Sequence, residues 1–320
     1  MRATSQAQPN IALIKYWGKR DAGRNLPAVG SLSVTLEALW TRMTVSFPAD
    51  ARADALTVNG RPDAGMLPRV SACLDDLLGV GRQSAVIDSD CNFPIAAGLA
   101  SSASAFAALV VAASHAAGLT TGTLDLARAA GRASGSAARS LYGGLVELET
   151  GEEDVRLVQR AEPSDWPLRV VVAVTERGPK PVGSTEGMRR SAATSPFYSD
   201  WVARQGDDLA VARAAVAARD FEQLAAVAEH NCLKMHSVMW TSRPPIVYWN
   251  RSTVGCMEAV RDLQSAGHGV FFTIDAGPQV KAVCLPESET AVREALGAVV
   301  GVQDILRTGL GDGARLVQPG

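Results

Sequence analysis

What this 320-residue sequence has little of narrows the field first. It has five cysteines, Cys73, Cys91, Cys232, Cys256 and Cys284, scattered without a C-x-x-C pair. That odd, dispersed set excludes a disulfide frame and a cysteine zinc site, and reads as the reduced thiols of a cytoplasmic protein. Net charge is nearly absent: 31 Lys plus Arg stand against 33 Asp plus Glu, a balance of -2. A nucleic-acid or membrane-surface protein carries a basic excess, so an anionic ligand here needs a local cluster of basic side chains. Long hydrophobic runs are missing too. The longest apolar stretch, 105–119, contains Ser114 and His115 and is short for a membrane span. The opening "MRATSQAQPN" lacks the apolar core of a signal peptide. His230 and His236 stand six apart, wrong for one helix face, which favours packing over metal ligation. No internal repeat and no low-complexity segment is visible.

What is present is ample for a core. Hydrophobic residues make up 47% and charged residues 20%, enough for one large domain or two ordinary ones. "SVTLEALWTRMTVSF" and "LRVVVAVTE" read as strands, and "VFFTIDAGPQVKAVCL" as strand, tight turn, strand. "PDAGMLPRVSACLDDLLGV" has helical spacing after its prolines, and residues 124–138 read as a helix. The long run from "GDDLAVARAAV" to "KMHSVMW" is strongly helical, and "STVGCMEAVRDLQSAG" is a helix closed by Gly267. The mixture lacks a regular βαβ rhythm, which predicts an α+β fold rather than a doubly wound sheet. A soft boundary near 177–185 divides the chain into 1–180 and 181–320.

One stretch places the least structured residues directly against the most helical ones: "NFPIAAGLASSASAFAALVVAA", 92–113. A helix start leaves four backbone N–H groups without partners and carries partial positive charge. Small residues ahead of it let a ligand approach closely, so Gly98, Ser101 and Ser102 can offer N–H groups and hydroxyls to a phosphate, with an apolar helix from about Ser104 holding that end rigid. The bland alternative is a tight loop with ordinary Ser caps. No Gly-Lys-Ser/Thr follows Gly98, so this is not a Walker A loop. It does resemble the Pro-x-x-x-Gly-Leu-x-Ser-Ser loop of the GHMP kinase superfamily, which holds ATP phosphates, through Pro94, Gly98, Leu99, Ser101 and Ser102 in order.

A second segment, "NIALIKYWGKRD", gathers Lys15, Tyr16, Lys19 and Arg20 within six positions, which suits a polyphosphate or a carboxylate. A solvated strand end is its ordinary alternative. The segment resembles the opening motif of the diphosphomevalonate decarboxylases, a branch of the GHMP superfamily. The resemblance spans nearly the whole chain and includes "LPAVGSLSVTL", "ASGSAARSLYGG", "GSTEGM", "PPIVYWN" and "FTIDAGP" in the family's order. It implies a GHMP fold, with a ribosomal-protein-S5-domain-2-like half carrying the phosphate loop and a ferredoxin-like half carrying Asp275.

The resemblance also implies an activity: ATP-dependent decarboxylation of mevalonate 5-diphosphate to isopentenyl diphosphate, normally with Mg2+. Where many GHMP kinases carry a catalytic Asp this chain has Ser136, and the acid stands instead at Asp275. By the same likeness Asp275 orients the 3-hydroxyl and accepts its proton, and Arg139 grips the substrate carboxylate. Lys15 stands near the reacting centre. Tyr16, Lys19, Ser134 and Ser136 contact substrate anions. Gly98, Leu99, Ser101, Ser102 and Ser184 serve the nucleotide phosphates. Relatives are often homodimers, so a second copy is the one protein partner implied. Three departures stand out: Val29 and Gly30 replace polar residues and would remove hydrogen bonds at the substrate end, and Thr185 stands where some relatives have Arg. A phosphomevalonate decarboxylase, a mevalonate 3-kinase and a catalytically silent ligand binder are the competing readings.

Overall fold

The structure is a computed structural model and describes residues 1–93, 101–178 and 180–318. The chain opens with β1 (Arg2–Ala7) and β2 (Asn10–Ile14), two short strands β3 (Lys19–Asp21) and β4 (Leu26–Pro27), then β5 (Ser31–Thr35) and β6 (Thr41–Ser46). A small ribbon, β7 (Ala55–Val58) and β8 (Arg61–Pro62), precedes α1 (Leu67–Leu78) and β9 (Val86–Cys91). Helices α2 (Ser101–Ala116) and α3 (Thr123–Ala133) lead to β10 (Leu145–Thr150), β11 (Val155–Ala161) and β12 (Arg169–Val174). Four helices follow: α4 (Ser184–Thr194), α5 (Tyr198–Ala218), α6 (Phe221–Trp240) and α7 (Arg251–Ser265). The hairpin β13 (Val270–Ile274) and β14 (Val280–Cys284), α8 (Glu289–Ala298), β15 (Asp304–Gly309) and β16 (Arg315–Val317) complete it. No helix among the described residues is long and apolar enough to cross a membrane.

Among the described residues four sheets organise these elements, in strand orders β16-β1-β6-β9-β7-β8, β11-β10-β5-β2, β13-β14-β12-β15 and the small β3-β4. The α+β class read from the sequence holds: pairing is antiparallel except between β7 and β9. A division at residue 180 does not follow the hydrogen bonds. It would part β12 from β14 and β15, its two neighbours in the third sheet, while β16 returns to pair with β1 in the first. Pairing between distant strands, rather than local composition around residue 180, sets which strands belong together.

Helix α2 is apolar all round and is buried, as such a helix must be. It packs between β1, β6, α1 and α3, with Phe106, Leu109 and Val110 in the core of the first half. In the third sheet the period of two separates two cores. Val171, Ala173, Phe272 and Ile274 face α7 and α8, while Val170, Val172, Phe271 and Val283 share a core with β2, β5, α5 and α6. Burying each such side chain is worth roughly 1.5–3 kcal/mol, so this second core fixes the third sheet firmly against the second. The helix expected over 124–138 stops at Ala133. Ser134 caps it in an extended conformation, and a separate 3-10 turn covers Ala137–Leu141. The Ser-Gly-Ser step 134–136 costs too much helix propensity to be carried through.

Candidate active site

Between the first half and the third sheet lies a cleft of about 660 Å³. Its lining holds six cations, Lys15, Lys19, Arg69, Arg132, Arg139 and Lys180, against one carboxylate, Asp275. A chain with a net charge of -2 has thus concentrated positive charge in one place, the local cluster that an anionic ligand requires.

The turn between β13 and β14 carries Asp275. Phe271 and Thr273 of β13 share one parity with Asp275 just beyond its end; the Thr273 hydroxyl donates to the Ala12 carbonyl of β2 at 3.1 Å, so this face meets the second sheet. Lys281, opposite Thr273 in the hairpin register, lies on the same face. Asp275 consequently sits between two ammonium groups. Lys15 Nζ donates to Oδ1 at 2.6 Å, and Lys281 Nζ lies 3.3 Å from Oδ2. Lys15 and Lys281 are buried, whereas the Asp275 side chain keeps 26% of its surface open to the cleft. Burial alone would raise the carboxyl; the two lysines outweigh it and hold Asp275 well below the usual carboxylate range.

Arg139 lies on the 3-10 turn and is 2% exposed. Its Nη1 donates to Ser31 Oγ at 2.5 Å and its Nε to Asn10 Oδ1 at 3.3 Å. Asn10 is itself fixed by donating to the Ser136 carbonyl and Ser140 Oγ. No ion pair joins Arg139 to an acid among the described residues. Burial lowers it to about 10, with Tyr16 and Asp275 opposing, so it stays charged at neutral pH. A buried charge without a counter-ion is costly, and its place in the cleft lining makes it a receptor for a ligand carboxylate or phosphate. Beside it the Tyr16 hydroxyl is buried without a hydrogen-bond partner among the described residues, and burial pushes it up to about 12. A Cβ on Gly135 would stand 2.4 Å from that hydroxyl, so only glycine leaves room for the Tyr16 ring there.

Two helix N-termini open onto the same cleft. Ser101 and Ser102 come from the first turn of α2, and Ser102 Oγ lies 3.2 Å from Ser134 Oγ. Gly183, Ser184 and Thr185 begin α4, whose first turn has no side-chain cap. Free N–H groups at a helix start favour a phosphate. Lys180 Nζ donates to Ser184 Oγ at 2.7 Å and to the Ala276 carbonyl at 3.0 Å, joining α4 to the Asp275 turn. Tyr248, within "PPIVYWN", supports this segment by donating to the Val182 carbonyl.

The structure brings Lys15, Tyr16, Lys19, Ser101, Ser102, Ser134, Ser136, Arg139, Ser184 and Asp275 to one cleft. Gly98 and Leu99 lie outside the described residues. Val29 and Gly30 do not line the cleft. Val29 is in the core around Trp17 and Trp201, and a Cβ on Gly30 would stand 2.7 Å from Leu209 of α5, so these departures concern packing. His236 is buried against Trp249 beneath the Asp275 turn and burial lowers it to about 3, a neutral packing group. Lys180, Lys281, Asn10 and Arg69 are missing from the sequence reading. Only Lys281 left a signal, because a hairpin over 270–284 puts it across from Thr273, on the face that also carries Asp275.

Among the described residues no group of three or more His, Cys, Asp or Glu could hold a metal ion. One carboxylate amid hydroxyls suits a different arrangement, a hard divalent cation that keeps its waters and arrives on phosphates.

A family profile described as the diphosphomevalonate decarboxylase-like N-terminal domain matches residues 7–158, and one described as the mevalonate 5-diphosphate decarboxylase C-terminal domain matches 170–310. The diphosphomevalonate decarboxylase of Eremothecium gossypii is 37% identical over 330 residues, which cover 94% of this chain and 82% of that protein. Mevalonate diphosphate decarboxylase from Staphylococcus aureus superposes with a TM-score of 0.93 at 35% identity, over 99% of this chain and 98% of its own. A structure described as MDDEF in complex with MVAPP, AMPPCP and magnesium gives a TM-score of 0.92 at 33% identity, over 100% of this chain and 99% of that one. With both halves matched and a relative 37% identical over 94% of it, this chain belongs to the diphosphomevalonate decarboxylase family.

Proposed function

We propose that the protein catalyses ATP-dependent decarboxylation of mevalonate 5-diphosphate to isopentenyl diphosphate, releasing ADP, phosphate and CO2. The observation that carries this reading is Asp275, the single carboxylate of the cleft among the described residues, held between Lys15 and Lys281 where Arg139 is buried without an acidic partner among those residues.

Hydroxide is a poor leaving group, so the tertiary 3-hydroxyl is phosphorylated first. Asp275 accepts a hydrogen bond from that hydroxyl and aims its oxygen at the γ-phosphorus of ATP. A carboxyl held so low is a weak base, so the proton moves to it only as the new P–O bond forms, in keeping with a loose phosphoryl-transfer transition state. So acidic a carboxyl then sheds the proton to phosphate oxygen or solvent and is anionic again when the C–O bond breaks. Its charge stabilises the electron-poor C3. Arg139 grips the substrate carboxylate through its guanidinium fork and holds the C–CO2 bond in line with the departing phosphate. The electron pair of that bond becomes the new double bond, and CO2 leaves. Lys15 keeps Asp275 ionised and steadies charge on the phosphoryl group. Tyr16, Lys19, Ser134 and Ser136 hold the diphosphate end, and Ser101, Ser102, Ser184 and Lys180 hold the nucleotide phosphates. When bound, Mg2+ would supply charge neutralisation and alignment of the phosphates, with the Ser102 hydroxyl as a protein oxygen beside its waters. Unpaired thiols among the described residues support a cytoplasmic setting.

Side-by-side assays of CO2 release from mevalonate, its 5-phosphate and its 5-diphosphate, each with ATP, test the reading. The 5-diphosphate is expected to turn over at least about 10²-fold faster than the 5-phosphate by kcat/KM, because lost phosphate contacts at a cation-lined end cost several charge-assisted hydrogen bonds. Preference for the 5-phosphate, or ADP formation without CO2, overturns it.

Lys180 gives the reaction a pH limb. Burial pulls its ammonium down to about 8, Asp275 working against the shift and Lys281 with it. The group is charged below that pH and neutral above it, so its hold on the nucleotide phosphates weakens as pH rises through about 8. kcat/KM for ATP is expected to fall across that range in the wild type. Lys180→Met should start lower and lose this limb, which a pH series in both proteins will show.

A further inference from the structure

We infer that the side-chain amides of Gln205 and Asn231 form a clamp that positions Lys15, and that this clamp rather than the sheet sets the ammonium against Asp275. The inference rests on the proposed role of the Lys15–Asp275 pair.

Strand β2 lies at the edge of its sheet, and its last register partner is Ile14 with Leu32, just after an irregularity between Ala12 and Ile14. Lys15 has therefore left the ladder. Its backbone is buried, and buried N–H and C=O groups must be paired. Both are taken by side chains from distant helices. Lys15 N–H donates to Asn231 Oδ1 of α6 at 2.7 Å, and Gln205 Nε2 of α5 donates to the Lys15 carbonyl at 2.7 Å. The two amides also bind each other, Asn231 Nδ2 donating to Gln205 Oε1 at 2.9 Å, which closes a ring around one peptide unit on each side of the Lys15 Cα. Asn231 Nδ2 further donates to Asp208 Oδ2 at 2.5 Å, and Lys234 balances that carboxylate at 2.5 Å. Gln205 is 1% exposed and Asn231 0%. Two residues on, Trp201 of α5 donates to the Trp17 carbonyl at 2.8 Å.

The chemistry of the clamp fits positioning. Neutral amides fix the backbone of Lys15 without offering its ammonium a second acid, so the charge stays committed to Asp275. A carboxylate in either place would compete for it. The helices that carry the amides are themselves immobilised through Leu209, Ala212, Ala215, Leu224 and Ala228 in the core shared with the third sheet. That same sheet carries Asp275, so one packed unit sets both members of the pair. Gln205 and Asn231 are positioning residues that act through Lys15.

The test is a double-mutant cycle on the full-length protein, with CO2 release and thermal unfolding measured for each variant. Asn231→Ala and Gln205→Met are made alone and in a Lys15→Met background; Gln205→Met keeps the volume and serves where Asn231→Ala does not fold. Each single clamp variant is expected to lower kcat by about 10²-fold, the scale of an ångström-level misplacement, with KM for ATP and for mevalonate 5-diphosphate within about threefold of wild type. In the Lys15→Met background the same substitutions should lower the residual kcat less than about twofold, because the group they position is gone. Equal losses in both backgrounds, or a folded clamp variant with wild-type kcat, overturn the inference while the wild type still releases CO2. A wild-type protein that releases none overturns the underlying reading, and the inference with it.

Discussion

Asp275→Asn is expected to reduce CO2 release by about 10³-fold or more while ATP affinity stays within about threefold of wild type. The asymmetry follows from the layout of the cleft. The nucleotide phosphates face Ser101, Ser102, Lys180 and Ser184, and Asp275 is the one carboxylate in the lining. Replacing it with a neutral amide removes the proton acceptor of the first step and the anion that stabilises C3 in the second, two electrostatic contributions of which each is commonly worth 10²-fold or more. The variant also removes the carboxylate that Lys15 and Lys281 both contact. Breaking a fully buried pair costs about 3–5 kcal/mol, and the partial exposure of Asp275 should bring the loss below that. Thermal unfolding measured beside the kinetics separates the two effects. Sensitivity to acid should change as well. The folded-state carboxyl is held below its unfolded value, so its contribution to stability is full above about pH 4 and is lost as pH falls toward the depressed value. The Asn variant lacks that contribution at every pH. Turnover at the wild-type rate in a folded Asp275→Asn protein would take Asp275 out of the chemistry.

The sequence made some parts of this site visible and hid others for a physical reason. "NIALIKYW", "SGSAARS" and "TIDAGP" each crowd several functional groups into a short turn or strand end, where spacing alone restricts what the chain can do. Lys15 and Tyr16 stood out in such a run, and the likeness to the decarboxylase family gave Asp275 and Arg139 their roles. Gln205 and Asn231 sit inside long helices whose sequence shows only helical character, and they reach Lys15 across 190 and 216 residues. Nothing local marks them. Lys180 lies in a segment without regular structure, and its partners Ser184 and Ala276 come from α4 and from the hairpin turn. The same limit applied to the fold. Strands with strong β-branched runs, such as β12, could be read directly. The placement of β12 in the third sheet and of β16 beside β1 depends on pairing between distant segments, which composition around residue 180 does not report. Arg139 is the instructive intermediate case. Its motif was legible, yet the expected helix through residue 138 would have aimed it differently from the 3-10 turn on which it sits.

Arg139→Lys keeps the formal charge and is still expected to lower kcat/KM for mevalonate 5-diphosphate by about 10²-fold to 10³-fold. Two arguments lead there. The first is geometric. The guanidinium spends Nε on Asn10 and Nη1 on Ser31, and it can present further N–H groups to a carboxylate in the plane those contacts fix. An ammonium on a flexible stem cannot make both anchoring bonds and a bidentate grip at once. The second is electrostatic. Burial leaves the guanidinium at about 10, still charged. An ammonium begins lower, and Lys180, which is less enclosed than Arg139, is already brought down to about 8. At the Arg139 position the same desolvation would act on a group that starts lower, so a lysine there holds its charge with a much narrower margin above neutral pH than the guanidinium does. The two steps of the reaction should respond unequally. Phosphorylation relies on Asp275 and the nucleotide contacts, whereas carbon–carbon cleavage relies on the alignment that Arg139 imposes. Rapid-quench measurements on Arg139→Lys should therefore show ADP formed ahead of CO2 in the first turnover, with the two coincident in the wild type. Wild-type kinetics in this variant would remove the carboxylate from Arg139, and equal slowing of ADP and CO2 would place the guanidinium on the phosphoryl-transfer step instead.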